Sequence, residues 1–203
     1  MNNNCKKWKI KKVLCELKHD EYLKVKLSRY YNPNAKKEEL YSLVTFSENG
    51  TGVVVALTNE NKIILIKQYR LAANDCLFNL PGGRLEKKSK KIKEIIKEIR
   101  KELESESYSK KRKNFYSANE SDFKLLNVVF QNPTRIIDRC TIFFVKNAFK
   151  KKGKPFRVEE SAERGRERVE LKIDEVLEMI RKRKIKDATT ITAILLAKER
   201  GLI

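Results

Sequence analysis

LPGGRLEKKSKKIKEIIKEIRKELE, residues 80–104, is where the chain changes character. Pro81-Gly82-Gly83 closes a β-rich region. After it, Ile92, Ile95, Ile96, Ile99 and Leu103 recur three and four residues apart, which predicts an amphipathic helix from about Ser89 to Glu104. Ser89 suits its N-cap. Within that helix Glu98 and Glu102 are four apart and share a face, with Lys97 and Lys101 beside them. Taken alone, such a run is also an ordinary surface helix laced with Glu–Lys pairs.

The flanks fix the fold class. Before the Pro-Gly-Gly turn, residues 8–16 and 21–30 alternate apolar and polar, as strands exposed on one face do. Asn32-Pro33-Asn34 breaks the chain before 40–47. The runs 52–58 (GVVVALT) and 62–69 (KIILIKQY), split by the turn residues Asn59-Glu60-Asn61, read as central strands. After the helix, 105–121 is polar and basic and reads as a mobile surface loop. Strands follow at 123–130 and 139–147, then a basic loop at 150–157, a mixed-charge stretch at 159–168 and a last strand at 168–172. Helices at about 173–183 and 187–200, with Asp174 and Asp187 near their starts as caps, close the chain. Strands, one helix, more strands, then helices make an α+β sandwich rather than a βα alternation. We expect an N-terminal β extension over 1–47 and the main domain over 48–203.

Composition narrows the function classes. In 203 residues, 40% are hydrophobic, enough for a real core. No apolar run reaches membrane-spanning length, so no membrane partner is expected. MNNNCKKWKIKKV lacks the apolar segment of a secretory signal. Cytoplasmic placement is the expectation, with an organellar one left open because nothing acidic precedes Glu16. The net charge of +20 favours anionic partners such as nucleotides or RNA. The competing source is an AT-rich genome that writes Lys for Arg. Cys5, Cys15, Cys76 and Cys140 form no C-x-x-C pair and His19 stands alone, so buried free thiols are expected rather than a zinc site. The runs 108–115 (YSKKRKNF) and 150–157 (KKKGKPFR) interleave aromatics with Lys and Arg, which suits phosphate contact plus stacking as well as a solvated loop.

The 80–104 stretch resembles the Nudix signature G-x5-E-x7-R-E-U-x-E-E-x-G-U, where U is aliphatic. Counted from Gly83, the spacing fits without gaps. Gly83, Glu98, Ile99 and Glu102 match. Ser89 stands for the first Glu, Lys97 for Arg, Lys101 for the first of the Glu pair, Glu104 for Gly and Ser105 for the last aliphatic residue. VVVALTNENKIILIKQYR at 53–70, QNPTR at 131–135 with CTIFFVKNA behind it, and 167–197 resemble the matching parts of ADP-ribose and ADP-sugar pyrophosphatases. The likeness spans roughly 20–203.

That resemblance implies a Nudix-type α/β/α sandwich with a mixed sheet, N-terminal antiparallel strands, C-terminal helices and a homodimer. It implies magnesium held by Glu98 and Glu102, with a glutamate of the loop before the last strand (Glu163, or Glu159, Glu160 or Glu167) helping to activate water. Gly83, Lys97, Lys101 and Arg70 are the implied substrate contacts, and Tyr69 and Phe78 are candidates for base stacking or core. Magnesium takes oxygen ligands, and Lys101 puts an ammonium where the family has its main carboxylate. Unit charges about 4 Å apart interact by roughly 4 kcal/mol at an effective dielectric near 20. The box is thus degenerate. The expectation is a protein impaired in catalysis that binds a nucleotide, a nucleoside diphosphate sugar, RNA or a ribonucleoprotein partner, with no cofactor. The alternative is a slow magnesium-dependent ADP-sugar pyrophosphatase.

Overall fold

The computed structural model describes residues 6–19, 23–47, 49–86, 91–156 and 165–203. The chain divides into two compact units: Met1–Glu48 with Phe130–Asp138, and Asn49–Val129 with Arg139–Ile203.

The first unit is an antiparallel sheet, β1 (Lys9–Lys18), β2 (Lys24–Asn32) and β3 (Lys37–Thr45), in that order. Asn32 shapes the β2–β3 turn by accepting the Asn34 and Ala35 N–H groups through its side chain. The 130–138 segment runs beside β3, bridging Val44 to Ile136 in parallel. The Arg135 guanidinium lies 4.8 Å from the Tyr41 ring centre. Asp138 takes the Phe46 and Ser47 N–H groups. On β1, Ile10, Val13, Leu14 and Leu17 are all exposed.

The second unit holds β4 (Thr51–Thr58), β5 (Lys62–Arg70), β6 (Asp75–Asn79), β7 (Gly82–Arg84), α1 (Ile92–Glu106), β8 (Asn114–Ser117), β9 (Phe123–Phe130), β10 (Arg139–Lys152), β11 (Glu167–Lys172), α2 (Ile173–Arg181) and α3 (Ala188–Glu199). The sheet runs β11-β5-β4-β10-β8, with β6 on β5, β7 on β4 and β9 on β10. β4 and β10 are parallel, while β11, β8 and β7 are antiparallel to their neighbours, so the sheet is mixed.

The continuous apolar runs follow from burial on both faces. Val54, Ala56, Ile64, Phe143 and Val145 meet Ile96, Ile99 and Leu103 of α1. Their neighbours Val55, Leu57, Ile63, Leu65, Ile142 and Phe144 pack on α2 and α3 through Val176, Leu177, Ala193 and Ile194. The unit is therefore layered α/β/α, as expected. Asp187 caps α3, accepting the Thr190 N–H at 2.7 Å.

Several expectations fail. Residues 105–121 are not a surface loop: Phe115, Tyr116, Ser117 and Ala118 are buried, because β8 pairs with the far half of β10. Lys150–Lys152 belong to that strand rather than to a loop. Asp174 is not a cap; Lys172 holds that position and Glu175 accepts its N–H. β6 was not visible in the sequence. Of the cysteines, Cys140 is buried but Cys15 and Cys76 are exposed, and Cys5 lies outside the described residues.

Candidate functional site

The candidate site is where α1 crosses β7. α1 starts at Ile92 with Lys91 in the cap position and no side-chain capping bond; Ser89 lies outside the described residues. Ile99, fully buried, pins the helix to β4: a Cβ on Gly52 would sit 2.3 Å from Ile99 Cδ1. Only a glycine there admits the helix so close. β7 is equally confined, since a Cβ on Gly82 would stand 2.3 Å from the Gly52 carbonyl oxygen.

One carboxylate per turn of α1 meets the 82–86 segment. The Glu98 Oε2 accepts the Glu86 N–H at 2.9 Å. The Glu102 carboxylate lies against Gly83, where a Cβ would be 2.7 Å from its carboxyl carbon. The Glu106 Oε2 accepts the Gly82 N–H at 2.7 Å. Glu106 is buried and ends α1, where the helix dipole disfavours a negative charge. Its offset is Arg166, whose Nη2 is 3.2 Å from Glu106 Oε1. The Arg166 Nε is also buried and makes no hydrogen bond among the described residues.

Sequence reasoning named Gly83, Glu98 and Glu102, and these come together, with Glu98 and Glu102 half-buried. It missed Glu106 and Arg166, although the spacing 98, 102, 106 carries the signal for the first. Lys97 and Lys101 are exposed on α1. Solvation of the Lys101 ammonium brings its effect on a nearby cation toward the water limit, about 1 kcal/mol at 4 Å. Arg70 is exposed at the end of β5 and donates to Asn79 across the β5–β6 pair, not to the 82–86 segment. Tyr69 is exposed and its hydroxyl donates to Asn74, while Phe78 packs against the core on the α2–α3 side. Glu167 is exposed at the start of β11. Glu159, Glu160 and Glu163 lie outside the described residues. Glu104, where the signature has Gly, takes a 2.6 Å hydrogen bond from Ser117. Arg100, at a position the signature leaves free, pairs with Glu120.

Among the described residues, no group of three or more His, Cys, Asp or Glu is arranged to hold a metal ion. Glu98 and Glu106 each give one carboxylate oxygen, Oε2, to a backbone N–H group. No family model matches the chain. Over the whole length, however, the architecture has a counterpart. It superposes on the crystal structure of an ADP compounds hydrolase with a TM-score of 0.70, covering 98% of this chain and 100% of that one at 14% identity. The fold is Nudix-type. In sequence, the chain is 25% identical to a methanol dehydrogenase activator from Bacillus methanolicus over 149 residues, 71% of this chain and 70% of that protein. Among the described residues, no helix is long and apolar enough to cross a membrane.

Proposed function

We propose that the chain descends from ADP-ribose-type pyrophosphatases and binds a nucleotide or nucleoside diphosphate sugar over β7 and α1, with hydrolysis largely lost. The observation that carries this reading is the state of the carboxylate row. Glu98 and Glu106 are committed to the backbone of 82–86, and the position beside Glu102 bears Lys101 in place of a third acid. Lys97 and Lys101 then offer cations to a diphosphate in place of a metal. The fold shared with an ADP compounds hydrolase supports the ligand class.

The test is calorimetric titration with ADP-ribose, with and without magnesium, beside a turnover assay. Binding that persists without magnesium and turnover far below that of an intact Nudix enzyme are expected. Lys101→Glu is expected to raise magnesium affinity, because it reverses a unit charge beside a divalent ion, and to raise turnover with it. Robust magnesium-dependent turnover by the unmodified protein would overturn the reading in favour of a pyrophosphatase working through Glu98, Glu102 and a loop glutamate. A second copy of the chain is the partner we assign to β1, because Ile10, Val13, Leu14 and Leu17 stand exposed on one short sheet. Light scattering that reads a monomer mass would remove that assignment.

A further inference from the structure

Two basic runs far apart in the sequence, KKRK at 110–113 and KKKGK at 150–154, meet in the fold. β8 pairs antiparallel with the end of β10, placing Asn114 opposite Lys152 and Phe115 opposite Lys151. The Gly153 N–H then donates to the Lys113 carbonyl at 2.9 Å. The cations of both runs are exposed. Among the described residues, Glu170 lies 3.3 Å from Arg112 and 3.6 Å from Lys150, and it is shared with Arg168 at 3.1 Å. At the end of the second run Pro155 is buried while the Phe156 ring is 98% exposed.

We propose that this end of the sheet is a binding surface for single-stranded RNA, separate from the nucleotide site on α1. Same-face residues of a strand lie about 7 Å apart, a step comparable with that between successive phosphates of an extended single strand. Lys150 and Lys152 share such a spacing. A nucleic-acid strand needs cations for its phosphates and an open aromatic face for a base, and Phe156 supplies that face. An anionic membrane would instead call for a broad apolar face beside the lysines; among the described residues, the ring that stands fully exposed beside them is Phe156.

The experiment is fluorescence anisotropy of the full chain with a labelled single-stranded RNA of about 12 nucleotides, repeated over a salt series. Three variants accompany it: Phe156→Ala, the set K111Q/K152Q/K154Q, and a charge-matched set K11Q/K12Q/K18Q on β1. Circular dichroism checks that each folds. Phe156→Ala is expected to weaken binding about tenfold through lost stacking. The patch set is expected to flatten the log–log salt slope by about 2, since each single-strand phosphate contact contributes about 0.7. The β1 set is expected to keep the slope of the unmodified chain. Equal loss in the two lysine sets would overturn the proposal, as would unchanged binding by Phe156→Ala. So would tighter, Phe156-dependent adsorption to phosphatidylserine vesicles than to RNA.

Discussion

Along α1, Glu98, Glu102 and Glu106 stand four residues apart and meet the 82–86 segment, whereas Lys93, Lys97 and Lys101, also four apart, are exposed. The two stripes share a helix, a spacing and a residue count, yet their surroundings differ. The acidic stripe is fixed by backbone N–H groups, by a glycine that leaves room for it and by Arg166. The basic stripe is set by solvation. Substitutions in the first are therefore expected to act on stability, and substitutions in the second on ligands.

The largest effect is expected at Glu106. Glu106→Ala strands the Gly82 N–H and leaves the Arg166 guanidinium without its carboxylate, a loss of about 3–5 kcal/mol by analogy with broken buried pairs. Glu106→Gln keeps an acceptor for Gly82 and should cost less, about 1–3 kcal/mol. Lys101→Ala should stay within about 0.5 kcal/mol. Urea denaturation of the three variants measures the contrast directly. Equal midpoints for Glu106→Ala and Lys101→Ala would erase the distinction between the stripes.

The next contrast lies within β7. Gly82→Ala drives a methyl into the Gly52 carbonyl oxygen and the Val53 backbone, which cannot yield without shifting β4, so about 1–3 kcal/mol of overpacking is expected. At Gly83 the methyl meets the end of the Glu102 side chain, which can swing aside. Gly83→Ala should therefore cost less stability and show itself instead as weaker ADP-ribose binding. Comparing each variant's thermal midpoint with its binding isotherm sharpens the division: a Gly83→Ala variant that loses stability but binds normally would make Glu102 a structural acid only.

What the sequence made legible follows the same line between local and long-range causes. The runs at 53–57, 63–66 and 142–145 and the periodicity of α1 carry their burial in their own pattern. β8 does not. NFYS sits between charged runs, and its partner is the end of β10, dozens of residues downstream. Its burial is set by that pairing and by the Glu170 network, in which Tyr116 donates to Glu170 at 2.8 Å and Arg168 stands over the Tyr116 ring. Charge counted along the chain hid it. At the site, spacing from Gly83 was enough to find Glu98 and Glu102. Arg166 was invisible because it lies far along the chain, just before β11, and joins the row through Glu106. Tyr116→Phe tests the pairing side of this account. It removes one hydrogen bond to a charged acceptor, so a loss of about 1.5–3 kcal/mol is expected. Its phenol, held above its ordinary range by burial and then by Glu170, should not ionise as the folded protein is taken to pH 10. An ultraviolet titration that shows every tyrosine ionising together would contradict the buried network.

The smallest effect carries no stability change and contrasts inside with outside at the cysteines. Cys140 lies on β10 beneath the α2–α3 layer, and burial first, with Asp187 adding to it, pushes its thiol above the ordinary range, against a weaker opposing hydrogen bond with Thr51. Cys15 and Cys76 are exposed. Since the thiolate is the reacting form, iodoacetamide at pH 8 should label Cys15 and Cys76 quickly and Cys140 slowly, as read by peptide mass mapping. Raising the pH toward the elevated Cys140 range should speed its labelling last, and the same ionisation withdraws whatever stability the neutral thiol contributes. Equal labelling of Cys140 and Cys76 in the folded protein would mean that the β10 core opens far more readily than its packing on α3 allows.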